Sequence, residues 1–367
     1  MKKILLLGAG KIGAIISELL ATSGDYEVHV ADREQASLNG LQQHAAIKPM
    51  TLDVTDATAL HAAMEDKFAA LSALPFDFTR FVAEAAVASG VHYLDLTEDV
   101  ACTKLVKSLA ESANSALIPQ CGLAPGFITI VAYDLTRPFD RLKNVHMRVG
   151  ALPKYPSNGL KYNLTWSTDG LINEYCNPCE AIVNGEFTQV PALEELESFS
   201  LDGVDYEAFN TSGGLGTMCE TLAGKVENLN YRTVRYPGHR DIMKLLLQDL
   251  GLRDRRPLLK EIFETALPLT RQDVVLVFVN VSGYKDGKLV QETYANKIYS
   301  QIINGKQWSA IQITTAAGIC AVLDLLVEGK LPQKGFVRQE DINFDDFIGN
   351  RFGQYYSPQL TTRCKAA

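Results

Sequence analysis

The chain of 367 residues is long enough for two domains, and 47% of its residues are apolar, so a folded protein is expected. Its net charge of −8 argues against a nucleic-acid partner, because phosphate backbones are bound by clustered lysine and arginine. The apolar run near the start is too short for a signal peptide, and no window reads as a membrane span. Seven scattered cysteines fit reduced thiols in a cytoplasm, and one C-x-x-C, at Cys176 and Cys179, does not predict a metal site.

The first third of the chain alternates short apolar strands with amphipathic helices. The strands read, in order, KILLL, YEVHVAD, IKPMTLD, FAALSAL, VHYLDL and SALIPQ. Strands separated by helices of about ten residues indicate βαβ units and a parallel sheet. Six such strands are the complement of a doubly wound Rossmann dinucleotide-binding domain of the α/β class.

The turn after the first strand has the G-x-G-x-x-G pattern of a dinucleotide-binding loop. Gly8 allows a tight turn, Gly10 leaves room for a pyrophosphate near the backbone, and Gly13 lets the helix approach the strand. The helix begins near Lys11 and Ile12, where its free N–H groups would face the phosphates. This context makes cofactor binding the leading prediction for the turn.

The second strand ends in an acid, Asp32, which would accept hydrogen bonds from the adenosine ribose and repel a 2′-phosphate. NAD is therefore favoured over NADP. Arg33 keeps NADP open as the less favoured alternative, because its guanidinium could stack on the adenine or meet a phosphate. The third strand should end at the adenine and the fourth at the nicotinamide ribose. The contacts expected there are Asp53, Val54, Ala73, Leu74 and Pro75.

After Gly122 the pattern changes to strands joined by hairpins. Asn-Gly at 184–185 and Asp-Gly at 286–287 are typical hairpin turns. The run LKYNLTW, at 160–166, alternates in a way that also predicts a strand. These features indicate a largely antiparallel α+β domain. A long apolar helix is predicted over 308–326, and it must be buried.

Several motifs, in order along almost the whole chain, resemble the saccharopine dehydrogenase family. They are SALPFDFT, CGLAPGF, GALPKYPSNGLKYNLTWSTDGLINEY, TVRYPGH and KGFVRQEDI. Within the family the chain is most similar to lysine 6-dehydrogenases. The resemblance implies an NAD-binding Rossmann domain, residues 1–122 with 315–367, interrupted by an inserted α+β catalytic domain, residues 123–314. It also implies that an amine is oxidised by hydride transfer to NAD and that the imine is then hydrolysed.

The chain departs from the family's saccharopine reductases at two positions. Those enzymes carry an acid where this chain has Ala124, and an arginine where it has Thr211 in the substrate site. Both changes imply a substrate with fewer charges than saccharopine, such as lysine. Arg235 is the charged anchor that remains, and it could bind a carboxylate bidentately or form a surface ion pair.

The proton acceptor has three candidates. Glu98 follows the fifth strand, at the edge of the sheet where ligands bind, although an acid there also suits a helix start. His239 lies at a second helix start, and Lys161 would need burial to lower its pKa. The resemblance places LKYNLTW on the cleft. The residues of this run from which at least one pocket member is expected are Lys161, Tyr162, Asn163, Thr165 and Trp166.

Three functions stay open. The first is NAD-dependent oxidative deamination of a basic amino acid, the second is a saccharopine or carboxynorspermidine type of reductase, and the third is a non-catalytic NAD(P)-binding sensor. The expected partners are a small amino-acid or amine substrate and a second copy of the chain in a homodimer, with no nucleic acid and no membrane.

Overall fold

The computed structural model describes residues 1–357, and its first part is an α/β domain in which all six predicted strands are present. The strands are β1 (Lys2–Leu7), β2 (Tyr26–Asp32), β3 (Ile47–Thr51), β4 (Ala69–Ser72), β5 (His92–Asp95) and β6 (Ala116–Ile118). The connecting helices are α1 (Lys11–Thr22), α2 (Gln35–Asn39), α3 (Ala57–Met64), α4 (Thr79–Ser89) and α5 (Val100–Ala110).

The second part mixes strands and helices, as the hairpin signals predict. Its strands are β7 (Arg141–Pro153), β8 (Cys179–Val183), β9 (Glu186–Val190), β10 (Glu197–Leu201), β11 (Val204–Asn210), β12 (Val226–Arg235), β13 (Asp273–Lys285), β14 (Lys288–Tyr299), β15 (Gln301–Ile303) and β16 (Lys306–Trp308). Its helices are α6 (Phe127–Thr136), α7 (Thr168–Cys176), α8 (Met218–Thr221), α9 (His239–Lys244) and α10 (Arg256–Ala266). The chain continues through α11 (Ala310–Val327), β17 (Gly335–Phe336) and α12 (Phe344–Gly349).

The first sheet is parallel throughout and has the order β17-β6-β5-β4-β1-β2-β3. The direction in which successive strands are added reverses between β1 and β4. In doubly wound sheets, ligands bind in the crevice outside the carboxyl ends of the strands at this reversal. The sequence reading missed β17, because a strand of two residues is too short to show any periodicity.

The second sheet follows the order β10-β11-β12-β7-β13-β14, with β8 and β9 attached through β12. Its pairs are antiparallel except for β12 with β7. Both predicted hairpin turns are confirmed: φ is 52° and 87° at 184–185, and 51° and 72° at 286–287. Two successive left-handed residues are the geometry that Asn-Gly and Asp-Gly turns favour.

The strand predicted at 160–166 is wrong, because this segment joins no sheet. Lys161 has a left-handed φ of 51°, which interrupts an extended chain. The Asn158 side chain donates to the Tyr162 carbonyl at 2.7 Å, and the Leu164 N–H donates to the Pro268 carbonyl at 3.1 Å. Residues 162–165 are all buried, so the alternating polar and apolar letters do not mark two faces.

The long apolar helix is confirmed as α11, which joins the two parts. Ser309 caps it, and its hydroxyl and the Gln312 side chain form a reciprocal capping box. By length and composition α11 could cross a membrane, yet 83% of its residues are buried inside the protein. It packs against α1 on one side and β13 on the other. Burial in the core therefore explains its composition. The predicted domain boundaries stay a prediction.

Candidate active site

A cavity of about 380 Å³ lies at the carboxyl ends of the parallel strands, between the two parts of the chain. The first part contributes the glycine turn and the loops that follow β4, β5 and β6. The second part contributes residues of β7, β12 and α7 and one residue of α10, and α11 closes one side. Six of the residues predicted to bind the cofactor line the cavity: Gly10, Lys11, Ile12, Ala73, Leu74 and Pro75.

The glycine turn has the geometry predicted from its pattern. A Cβ on Gly8, where φ is 101°, would lie 2.9 Å from the Ala73 carbonyl oxygen. A Cβ on Gly13 would lie 1.8 Å from the Gly8 carbonyl oxygen, so any side chain would push α1 away from the turn. A Cβ on Gly10, by contrast, would meet nothing within 4 Å. Since Gly10 precedes the first turn of α1, the open space and the free N–H groups fit a pyrophosphate.

Asp32 holds the glycine turn against β2. Its Oδ2 accepts a hydrogen bond from the Ala9 N–H at 2.7 Å, and its Oδ1 accepts one from the Glu34 N–H at 2.9 Å. Arg33 is exposed, and its guanidinium lies 3.3 Å from the Glu34 carboxylate. The acid is therefore fixed where a ribose would lie, whereas the arginine is held only by an exposed ion pair of small energy.

Asp53 and Val54 follow β3 and do not line the cavity. The Thr55 backbone N–H and hydroxyl both donate to Asp53, at 2.9 Å and 2.7 Å, and these bonds lower the pKa of its carboxyl. Val54 is buried. The adenine contacts predicted for these two residues stay a prediction.

Arg235 lies at the end of β12, is 3% exposed and lines the cavity. Its Nε donates to the Tyr175 hydroxyl at 2.9 Å, and its Nη1 donates to the Val234 carbonyl at 2.8 Å. The guanidinium carbon lies 5.1 Å from the centre of the Tyr162 ring, within range of a cation–π interaction. These contacts hold Nε and Nη1, leave Nη2 without a partner within residues 1–357, and rule out the surface ion pair considered for Arg235.

His239 shares the Tyr175 hydroxyl with Arg235 as a hydrogen-bond partner, and it does not line the cavity. Its Nδ1 is 2.8 Å from the Leu160 carbonyl, so Nδ1 carries the proton, and its Nε2 accepts from the Tyr175 hydroxyl at 3.1 Å. Burial, with Arg235 nearby, lowers the pKa of His239 to about 3. The hypothesis that His239 is the base is corrected, because both ring nitrogens are already occupied.

Lys161 is also corrected as a candidate base. It is exposed, and its Nζ donates to the Pro237 carbonyl at 2.9 Å, outside the cavity. Thr211 and Tyr162 are buried but do not reach the cavity either, so neither supports direct substrate contact. Asn163 and Thr165, the other pocket candidates of this run, are buried too and do not line the cavity. Of the run at 160–166, Trp166 lines the cavity, and its indole N–H donates to the Tyr162 hydroxyl at 2.9 Å.

Glu98 is the one candidate base that lines the cavity. Its Oε1 is buried and has no hydrogen-bond partner within residues 1–357. Burial raises the pKa of Glu98 to about 7, and the neighbouring acids Asp99, Asp95 and Asp169 add to the rise. A carboxyl that titrates near neutrality, beside open space, suits proton transfer.

The sequence reading missed Glu174, a second buried acid in the cavity wall. Burial raises the pKa of Glu174 well above its ordinary value, and the Glu98 carboxylate raises it further, while Arg235 opposes the rise. Glu174 lies in α7, whose residues are nearly all buried. In the sequence it reads as an ordinary helical acid beside Asn173, and no local pattern marks it as buried.

Two family models cover the chain. The model described as the saccharopine dehydrogenase NADP binding domain matches residues 4–119, and the one described as the saccharopine dehydrogenase C-terminal domain matches residues 122–352. The chain belongs to the saccharopine dehydrogenase family. Its first part is therefore the pyridine-nucleotide-binding domain of that family, in agreement with the glycine turn.

Curated relatives in the saccharopine dehydrogenase family are distant. Saccharopine dehydrogenase [NADP(+), L-glutamate-forming] of Saccharomyces cerevisiae is 24% identical over 263 residues, which are 68% of this chain and 58% of the yeast protein. The mitochondrial alpha-aminoadipic semialdehyde synthase of Bos taurus is 24% identical over 81% of this chain, but the match spans 33% of the bovine protein. The chain thus matches little more than half of the first relative and a third of the second.

Solved structures show the same fold. Apo saccharopine dehydrogenase (L-Glu forming) from Saccharomyces cerevisiae superimposes with a TM-score of 0.79 at 18% identity, covering 95% of this chain and 96% of that one. Homospermidine synthase from Legionella pneumophila, in complex with NAD, has a TM-score of 0.66 at 13% identity, covering 98% and 90%. The arrangement of a Rossmann domain with a second domain is thus shared with both of these structures.

Proposed function

We propose that the chain is a pyridine-nucleotide-dependent oxidoreductase that removes the terminal amine of a cationic amino acid, with lysine as the first candidate. The observation that carries this proposal is the charge pattern of the cavity. Beyond the glycine turn, one buried arginine faces the same space as the buried carboxyl of Glu174 and the partly buried carboxyl of Glu98. The more exposed carboxylates of Asp169 and Glu264 also line the cavity. A substrate with one carboxylate and one ammonium group matches this pattern.

The pattern disfavours saccharopine itself, which carries several carboxylates. Of the cationic residues that line the cavity within residues 1–357, Lys11 lies at the glycine turn, which leaves Arg235 for the substrate. Ala124 lines the cavity where the reductases have an acid. Thr211, which replaces their arginine, is buried away from it. A second substrate carboxylate would therefore lack a cation to pair with, and an unpaired buried charge is costly.

The residues support a simple division of roles. The nicotinamide, when bound, supplies the hydride acceptor. Arg235 binds the substrate carboxylate through the free edge of its guanidinium. Glu98 accepts a proton from the ammonium group, the neighbouring carbon then loses hydride, and the resulting iminium adds water and releases ammonium ion. Trp166 adds an aromatic wall to the cavity.

A reductase that joins an amine to a carbonyl is the second candidate. It is favoured by the yeast relative, whose printed name is that of a glutamate-forming saccharopine dehydrogenase. The same base could serve it in reverse, by returning the proton to the new secondary amine. The two candidates differ in which substrates change the absorbance of the cofactor.

For the cofactor we propose NAD over NADP, because the Asp32 carboxylate is held at the end of β2 by two backbone N–H groups. A 2′-phosphate would meet this charge. The family model and the yeast relative carry NADP in their descriptions, so NADP is the alternative, with Arg33 as the phosphate ligand.

The test is a screen in both directions. The protein is incubated with NAD or NADP and individual amino acids and polyamines at alkaline pH, where the free amine is present, and the absorbance of the reduced cofactor is followed. We expect lysine with NAD to produce NADH. If no amine does so, while an aldehyde or keto acid together with an amine consumes reduced cofactor, the protein is a reductase and the proposed deamination is wrong.

A further inference from the structure

Helix α7 brings Glu174 to the same side of the cavity as Glu98. A Cβ on Gly170 would lie 2.9 Å from the Glu98 Oε1 and 2.5 Å from the Trp166 ring, so the first turn of α7 packs directly on the Glu98 carboxyl. Glu174 follows Gly170 by four residues and therefore lies on the same face of the helix, one turn away. Both carboxyl groups line the one cavity.

The backbone on either side of this pair is fixed. The Ser212 N–H donates to the Glu174 carbonyl at 2.9 Å, and a Cβ on the next residue, Gly213, would lie 2.2 Å from the Glu98 carbonyl oxygen. One short segment thus holds both glutamates. Both side chains line the same cavity, and the Glu98 carboxylate raises the pKa of Glu174, so the two carboxyl groups lie within electrostatic range of each other.

Neither glutamate has a cation partner in the part of the chain that the structure describes. No salt bridge joins either of them to Arg235, and Glu98 Oε1 lacks any hydrogen-bond partner. Two carboxylates without cation partners repel each other when both are charged, so the ionisation of one opposes the ionisation of the other. The other titratable and charged groups near the pair are Asp95, Asp99, Asp169, Tyr162, Tyr175, Cys179, Tyr231 and Arg235.

We propose that Glu98 and Glu174 hold one proton between them in the free protein and exchange it for the ammonium group of the substrate. This inference rests on the proposed function. The ammonium enters and the shared proton leaves to solvent, so one positive charge replaces another. Glu98 then takes a proton from the bound ammonium: an N–H bond breaks and an O–H bond forms on the carboxyl. When hydride leaves the adjacent carbon, the iminium charge faces the Glu174 carboxylate. Glu98 is the catalytic residue, and Glu174 is a positioning residue.

The test measures protons released on binding and does not depend on turnover. The protein loaded with reduced cofactor is titrated with L-lysine by calorimetry at about pH 8, in two buffers of different ionisation enthalpy. We expect about one proton to be released for each lysine bound. The affinity for lysine should therefore fall about tenfold for each unit by which the pH is lowered from about 8. Cadaverine serves as a second probe, since it carries the amine without the carboxylate.

Three variants complete the experiment. Glu174→Gln should bind lysine without releasing a proton, and its affinity should lose most of its dependence on pH. Glu98→Gln should behave in the same way on binding and should also lose turnover. Glu261→Gln, an exposed site on α10, is the control and should match the wild type. Circular dichroism shows whether each variant is folded, and either glutamine variant alone suffices for the comparison.

The outcomes separate this inference from the proposed function. Proton release in Glu174→Gln equal to that of the wild type, or failure of the wild type to bind either probe, overturns the pair. If the wild type binds lysine with proton release but no amine reduces the cofactor, the pair stands as an amine site and the proposed deamination fails. If lysine is oxidised but no proton is released on binding, the proposed deamination stands and the shared proton is refuted.

Discussion

Replacing Glu98 by glutamine should change how the stability of the protein depends on pH. Burial raises the pKa of this carboxyl from 4.5 to about 7, so the folded protein binds its proton more tightly than the unfolded chain does. The resulting stability is fully present below the unfolded pKa and is lost as the pH rises through the folded one. Since one pKa unit corresponds to about 1.4 kcal/mol, the loss is about 2 kcal/mol between about pH 5.5 and pH 8.

The assay is urea-induced unfolding at both pH values, followed by far-ultraviolet circular dichroism. Glu98→Gln cannot ionise, so its unfolding free energy should fall about 2 kcal/mol less over this range than that of the wild type. Glu261→Gln, which is exposed, should retain the wild-type dependence. If Glu98→Gln also retained it, burial would not oppose the ionisation of Glu98, and the assignment of this residue as the base would lose its physical basis.

Four further predictions concern the cofactor, the substrate and the fold. Gly13→Ala should lower the thermal midpoint and abolish NAD binding, because its Cβ would lie 1.8 Å from a carbonyl oxygen, whereas Gly10→Ala should fold normally and bind NAD more weakly in a fluorescence titration. Asp32→Ser should narrow or reverse a preference for NAD of about tenfold, measured by titration with both cofactors. Arg235→Ala should lower kcat/KM for lysine about ten- to a hundredfold, with Arg235→Lys intermediate and cofactor affinity unchanged; an equal loss of cofactor affinity would contradict the carboxylate role. A fragment of residues 1–122 should aggregate on size-exclusion chromatography, because it lacks the helix that covers α1; a monomeric, NAD-binding fragment would show that its domain is complete without it.

The sequence was most informative where one local rule decides the structure. Alternating strands and helices identified six of the seven strands of the first sheet, and Asn-Gly and Asp-Gly identified both hairpins. It failed at 160–166, where the alternation of letters is typical of a strand. There the conformation is set by the Asn158 side chain and by a hydrogen bond to Pro268, a hundred or so positions along the chain, and no pattern of nearby residues records such a contact.

The sequence predicted some residues of the candidate site and missed others. The glycine turn and Glu98 follow strands, so topology alone places them at the crevice. Glu174 became a candidate only when α7 was seen to pack on Glu98 through Gly170. His239 and Lys161 were proposed from residue type, and their hydrogen bonds to the carbonyls of Leu160 and Pro237 show why residue type alone was insufficient.

The position of α11 and β17 late in the chain has a consequence for synthesis on the ribosome. Six of the seven strands of the first sheet are made early. Its edge strand β17 and the helix α11, which packs on α1, emerge only after the strands of the second sheet. At the usual rate of translation this delay is on the order of ten seconds or more. During that time the apolar surface of the nascent sheet remains uncovered, and a chaperone that binds apolar segments would have its longest opportunity there. The second domain, whose strands are contiguous, can fold while the first one waits.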